Sequence, residues 1–388
     1  MQASGRRGKD VALKIQRRRY AEAALHEISI HRRIVENGGR CAAIVELREG
    51  FSHDGHICMA FEKLGASLED VADCRALAAV RVRRITREVL CALDRLHACG
   101  CTHTDLKTGN ILYDARSGAA RLADFGSVRF RLRQGAILGT REYTPPEVLI
   151  GAPLASSLDL WALGCSVFEM LTGRLLFQPR RMAARKYREF SAGRDGIQTP
   201  LAPRILKDLA AEKAEQFPAG AVIAGKYKLR RVLGQGRFGT VWLARQLSDE
   251  PLPASLPEIG KHARSTKMWD RGLAERDRLW REEKGADDLL DLALNYEHAL
   301  LIARLRGPFP QTMIENARYR RSYFEEDGEI RFRPRIAPIS LRDRLRRGSL
   351  LRGPSLELAV DFLKQLLTVE PAARPSAVEA LVHPWLHT

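Results

Sequence analysis

The sequence predicts a bilobal α+β fold: a small antiparallel sheet lobe with one helix, followed by a larger, mainly helical lobe. Three observations predict it. Short strand-like runs separated by turn residues fill most of residues 9–62. Apolar residues at helical spacing fill 80–99, 157–172 and much of 291–385. A strand–glycine loop–strand unit stands apart at 226–245.

Val11-Ala12-Leu13-Lys14-Ile15 reads as a strand that carries a lysine. Residues 21–35 have helical spacing, with Ala24, Ile28, Ile30 and His31 around Glu27. Ile44-Val45-Glu46-Leu47 and His56–Glu62 read as two more strands around an Asp/Gly turn. In 80–99, Val82, Ile85, Val89, Leu90, Leu93 and Leu96 fall on one helical face. Short strands and loops follow, and 157–172 returns to helix. Residues 181–221 and 249–287, rich in Arg, Lys, Glu, Ala and Pro, read as an insertion of exposed helices and linkers around the late hairpin. The expected division is therefore 1–64, 65–180, an insertion at 181–287 holding the hairpin 222–248, and 288–388.

Composition narrows the function classes. The 388 residues are 45% hydrophobic and 29% charged, as in a globular chain, and no run of about 18 apolar residues suggests a membrane span. The first residues lack the apolar core of a secretory signal. Seven cysteines at irregular spacing form no disulfide framework or zinc pattern; Cys99-Gly100-Cys101 reads as two core thiols. A reducing compartment, cytosol or nucleus, is expected. The net charge of +17 invites a nucleic-acid reading, but the arginines are scattered rather than gathered in an aromatic-laced patch, so no nucleic-acid partner is expected.

The polar motifs carry the chemistry. His103-Thr104-Asp105-Leu106-Lys107-Thr108-Gly109-Asn110 is followed by Asp124-Phe125-Gly126, and Val11-Ala12-Leu13-Lys14 comes before both. Phosphoryl transfer needs a positioned hydroxyl, magnesium to neutralise phosphates and a lysine to grip them. Each fragment alone is weak, but together in this order they are specific. The chain resembles eukaryotic-type protein kinases over about residues 9–180 and 291–388. That resemblance implies that Asp105 orients and deprotonates the substrate hydroxyl and that Lys107 steadies the γ-phosphate. It also implies that Asn110 and Asp124 hold magnesium, and that Lys14, paired with Glu27, holds the α- and β-phosphates of ATP. The alternative for Glu27 is a solvated helix charge. Phe61 would back the adenine pocket, with the backbone of Glu62 and Leu64 facing the adenine edge. Glu147 would form a buried ion pair with Arg374, and Asp159 would brace the catalytic loop. His103 is read as a packing residue, and Ser127, Thr140 and Thr144 as ordinary turn residues, the alternative being phosphorylation sites.

Softer features, Glu147–Gly151, Glu297–Pro310 and His383-Pro384-Trp385-Leu386, resemble the SR-protein-kinase and LAMMER side of the CMGC group. Members phosphorylate Ser or Thr, often in Arg/Ser-rich splicing factors. Two departures stand against such a substrate: Thr144 occupies a position usually held by arginine, and the chain is itself strongly basic. The expected partner is a Ser/Thr-bearing protein, with no membrane and a monomeric chain.

One part is out of order. A kinase needs a glycine-rich hairpin ahead of its lysine strand, and only ten residues precede Val11. Yet Tyr227–Ala244, with Leu233, Gly234, Gly236, Gly239 and Val241, fits that hairpin roughly 200 residues late. A strand, not a helix, follows its glycines, which argues against a dinucleotide fingerprint. Three arrangements compete: docking in cis across linkers long enough to reach, a second truncated kinase unit, or a rearranged gene. Docking in cis is favoured because the strand edge left by the short amino terminus would otherwise be exposed. The function expected is a Ser/Thr kinase. Its rivals are a pseudokinase-like scaffold without a working phosphate lid and a basic nuclear protein that binds RNA.

Overall fold

The computed structural model describes residues 9–72, 76–136, 138–178, 217–235, 238–250, 252, 288–330 and 338–388. They fall into two compact units. One holds those within Met1–Arg40, Val45–Leu64 and Gln198–Ala286; the other holds those within Cys41–Ile44, Gly65–Ile197 and Asp287–Thr388. The strands in chain order are β1 (Asp10–Gln16), β2 (Leu47–His53), β3 (His56–Glu62), β4 (Ala66–Ser67), β5 (Ile111–Tyr113), β6 (Ala120–Leu122), β7 (Val222–Ile223), β8 (Tyr227–Gln235) and β9 (Gly239–Gln246).

The first unit is a six-stranded antiparallel sheet of order β2-β3-β1-β9-β8-β7, with helix α1 (Ala21–Glu36). The late hairpin lies in cis beside the lysine strand. Leu13 stands opposite Ala60 on one side and opposite Trp242 on the other, and Lys14 stands opposite Met59 and Val241. Because side chains alternate along a strand, this register decides which residues share a face. Val11, Leu13 and Ile15 point into a core with Phe51, Cys58, Ala60, Ile223, Tyr227, Leu229, Trp242 and Ala244. Gly239 is the residue that permits the pairing: a Cβ there would stand 2.2 Å from the Ile15 carbonyl oxygen.

Two expectations are corrected in this unit. The ends of the segments read as linkers cover the sheet, with Phe217, Ala221 and Leu252 packed on its core beside Ala224 of the hairpin. An apolar sheet face needs a cover, and these residues supply it. Most of 181–287 outside the hairpin lies beyond the described residues. The strand expected at Ile44–Leu47 begins only at Leu47. Ile44, which belongs to the second unit, instead closes a turn with Cys41 and bridges Leu122 within that unit.

Glu49 of β2 ties the hairpin base to the sheet. Its Oε2 accepts from Lys226 Nζ at 2.9 Å and from Tyr227 OH at 2.7 Å, and its Oε1 accepts from Leu252 N at 2.8 Å. Burial alone would raise this carboxyl, but those hydrogen bonds and the Lys226 charge hold it below the usual carboxylate range.

The second unit is mainly helical, as the sequence predicts. A small antiparallel sheet of order β4-β5-β6 accompanies it. Its helices begin with α2 (Leu68–Ala72), α3 (Ala79–Ala98), α4 (Pro146–Ile150) and α5 (Leu158–Thr172), and continue with Asp288–Arg306, Leu341–Gly348 and Gly353–Leu366 among others. Helix α3 buries Val82, Ile85, Val89, Leu90, Leu93 and Leu96, the face its spacing marks out. Helix α5 is buried all round apart from Glu169, so it serves as the axis on which the loops are hung.

Candidate active site

Within the sheet unit, Lys14 and Glu27 come together. Lys14 Nζ donates to Glu27 Oε1 at 3.0 Å and to Oε2 at 2.8 Å, and the Glu27 side chain is 1% exposed. Glu27 is therefore a paired, buried carboxylate rather than a solvated helix charge. Helix α1 packs on the face of the sheet that carries Lys14, where the His31 and Phe61 rings lie 5.5 Å apart. Burial, and then the Lys14 charge, push the His31 imidazole down to about 3, so it stays neutral. Val241 stands opposite Lys14 in register and shares its face. Leu233 is exposed on β8 beside Gly234. Gly236 lies outside the described residues. Phe238 is anchored by its carbonyl, which accepts from Arg17 N at 2.9 Å, and by an edge-on contact with the Tyr20 ring at 5.1 Å. Glu62 ends β3 and binds Glu46 N through Oε1 at 2.9 Å, and Leu64 follows it, half-buried.

The helical unit gathers the other motif residues around α5. Asp159 is fully buried and accepts three bonds: His103 N on Oδ2 at 2.8 Å, Thr104 N on Oδ1 at 2.9 Å, and the His97 ring on Oδ2 at 2.8 Å. A carboxylate so satisfied fixes the backbone just ahead of Asp105. His103 braces rather than reacts. Its Nε2 bonds the Ala123 carbonyl at 3.1 Å and its Nδ1 accepts from Asp105 N at 3.3 Å. Thr104 takes the left-handed conformation at φ 67°, which is strained for a β-branched residue, and its hydroxyl donates to the Ser127 carbonyl at 2.7 Å. The loop His103–Asn110 is thereby tied to the residue after Asp-Phe-Gly.

Asp105 and Lys107 share a hydroxyl. Thr140 Oγ1 donates to Asp105 Oδ1 at 2.7 Å and accepts from Lys107 Nζ at 2.8 Å, and Lys107 Nζ lies 3.4 Å from Asp105 Oδ2. This corrects the reading of Thr140 as an ordinary turn residue. Its role was hidden because the contact spans 35 positions. Asn110 donates through Nδ2 to the Asp105 carbonyl at 2.7 Å. It closes the β5–β6 hairpin through its own carbonyl, which accepts from Ala123 N at 2.9 Å. That hairpin brings Asn110 to the same end as Asp124, which is exposed and left-handed at φ 60°.

A further carboxylate, Glu169, was not singled out from the sequence. Its Oε2 accepts from Thr108 Oγ1 at 3.0 Å and from Tyr143 OH at 2.5 Å. Burial, opposed by those hydrogen bonds and aided by Glu69 and Glu142, raises its carboxyl. The expected buried ion pair is present: Arg374 meets Glu147 bidentately at 2.6 and 2.7 Å, with both side chains 0% exposed. Thr144 bonds the Thr140 carbonyl at 3.1 Å.

Comparison with known proteins agrees with this geometry. The protein kinase domain model matches residues 3–215, more than half of the chain. Serine/threonine-protein kinase AFC1 of Arabidopsis thaliana is 31% identical over 246 residues, covering 54% of this chain and 51% of that protein. Serine/threonine-protein kinase SRPK of Physarum polycephalum is 32% identical, covering 45% of this chain and 57% of its own. Dual specificity protein kinase CLK2 of Homo sapiens is 32% identical, covering 54% and 46%. The chain thus spans about half the length of the curated relatives it matches. It belongs to the protein kinase domain family, on the SR-protein-kinase and LAMMER-like side of the CMGC group.

Proposed function

We propose that this chain is a serine/threonine protein kinase, which transfers the γ-phosphate of ATP to a protein hydroxyl with magnesium. The observation that carries the reading is the Asp105–Thr140–Lys107 cluster. A carboxylate and an ammonium held on one hydroxyl by bonds of 2.7 and 2.8 Å suit a proton acceptor beside a charge that follows the moving phosphoryl group. In this reading Asp105 takes the proton of the substrate hydroxyl, Lys107 offsets phosphoryl charge, and Thr140 keeps both in place. Asn110 and Asp124 supply the hard oxygen donors that magnesium prefers, two protein ligands being enough when phosphates and water complete its shell. Bound ATP supplies the phosphoryl group. Lys14, aimed by Glu27, would grip its phosphates, and the 227–246 hairpin, with Leu233, Gly234, Gly236, Gly239 and Val241, would cover them, while the backbone of Glu62 and Leu64 would face the base.

The pairing of β9 with β1 supports a catalytic chain over a non-catalytic scaffold, since the late hairpin stands beside the lysine strand. An Arg/Ser-rich substrate is the finer proposal, supported by the branch of the family and opposed by the chain's own net charge of +17. The chain is proposed to act as a monomer in cytosol or nucleus. The test is Asp105→Asn, assayed with labelled ATP on an Arg-Ser repeat peptide and on casein. Loss of a positioned proton acceptor lowers transfer about 10²-fold or more. Equal activity in the variant overturns the reading, and preference for casein overturns the substrate proposal alone.

A further inference from the structure

The proposed chemistry leaves two free cysteines of the helical unit, Cys41 and Cys91, unused. Cys41 opens a turn closed by Ile44 N donating to the Cys41 carbonyl at 3.0 Å. The turn is docked on β6: Leu122 N donates to the Ala43 carbonyl at 2.8 Å, and Ile44 bridges Leu122 in parallel. Helix α3 reaches the same strand from its own side, where Glu88 Oε2 accepts from Ala120 N at 2.5 Å. Cys91 lies three residues past Glu88, on the same helical face. A strand of three residues thus holds both the Cys41 turn and the Cys91 face of α3.

Accessibility separates this pair from the other described cysteines. Cys58, Cys99, Cys101 and Cys165 are buried, whereas Cys91 is exposed and Cys41 half-buried, and both are free thiols. Burial, and next the neighbouring Cys41, raise the Cys91 thiol.

We propose that Cys41 and Cys91 are a redox pair, oxidised by a peroxide to a disulfide that staples the turn between α1 and β2 to helix α3. The Cys91 thiolate attacks one peroxide oxygen, the O–O bond breaks, and water leaves as Cys91 becomes a sulfenic acid. The Cys41 thiolate then attacks that sulfur, the S–O bond breaks, and a second water leaves. Two thiols lose two electrons and two protons; hydrogen peroxide gains them and becomes two waters. Because thiolates are the nucleophiles and the Cys91 thiol is raised, the step speeds up with alkalinity.

The experiment uses the full chain, treated with hydrogen peroxide at pH 7.5 and pH 9, capped with an alkylating agent, digested without reductant and mapped by mass spectrometry. A peptide pair joined through Cys41 and Cys91 is expected. It forms faster at the higher pH, disappears with dithiothreitol and is absent from both Cys41→Ser and Cys91→Ser. Melting curves of the reduced variants check that they fold. Recovery of both residues alkylated, of Cys91 oxidised singly, or of either joined to another cysteine overturns the proposal.

Discussion

Trp242 tests whether the late hairpin belongs to the sheet that carries Lys14. It lies on β9 directly opposite Leu13 and is 8% exposed in the core shared with Val11, Ile15, Phe51 and Tyr227. An aromatic of this kind buries roughly 150–250 Å², which at about 25 cal/mol per Å² is about 4–6 kcal/mol. Truncation of such residues to alanine costs about 3–5 kcal/mol, since the cavity relaxes only in part. Trp242→Ala therefore speeds amide exchange in β1 and β3 by about 10²- to 4 × 10³-fold, at about 1.4 kcal/mol per tenfold. Hydrogen exchange read by mass spectrometry on peptides covering 10–16 and 56–62 measures it. The affected peptides lie 180 or more positions from the substitution, so the effect has no local explanation. A Leu13→Ala, Trp242→Ala double-mutant cycle adds a coupling of about 0.5–3 kcal/mol. Unchanged protection in β1, with loss confined to 227–246, refutes the shared core and returns the hairpin to a separate unit.

Further predictions concern other parts of the chain. Arg374→Met strands the fully buried Glu147 carboxylate and leaves the Thr368 and Val369 carbonyls without their guanidinium donor, so urea unfolding should show a loss of about 3–5 kcal/mol. A change below about 1 kcal/mol contradicts it. Glu49 has a lowered folded pKa, so its contribution is full above its unfolded value near 4.5 and is lost as pH falls through the folded value. The stability gap between the wild type and Glu49→Gln is then widest near neutrality and narrows below pH 4.5; a gap constant with pH rules this out. Thr140→Val, which removes the hydroxyl shared by Asp105 and Lys107, should lower transfer about 10–100-fold, while Thr140→Ser retains it and both variants melt with the wild type. Gly239→Ala places a methyl against the Ile15 carbonyl and weakens β1–β9 pairing, seen as faster exchange in residues 10–16.

Much of the fold was legible because it is written in short-range patterns. The alternation of Val11, Leu13 and Ile15 marks a strand face, and the spacing from Val82 to Leu96 marks a helix face. The candidate site was legible where motif order stands in for geometry, as with Asp105, Asn110 and Asp124. Thr140 and Glu169 were not legible. A threonine in a turn and a glutamate on an otherwise apolar helix look ordinary until a hydroxyl and a carboxylate are brought to 2.7 and 3.0 Å of their partners. Ile44 misled for the opposite reason, since a β-branched residue before a strand resembles the strand itself while its backbone pairs elsewhere.

The local sequence determined which segments become strands and helices, and which side chains can accept protons, hold cations or grip phosphates. Those properties reside in single residues and their near neighbours. Only the tertiary structure decided where the hairpin at 227–246 goes. Any exposed strand offers the same row of N–H and C=O groups, so backbone pairing carries no address. The address comes from matching faces at long range: Trp242 over Leu13, Ala244 beside Val11, Phe217 and Leu252 closing the core, and the missing side chain of Gly239 letting the strands meet. A late position in the chain is compatible with a place beside Lys14 because packing recognises shape and polarity rather than order.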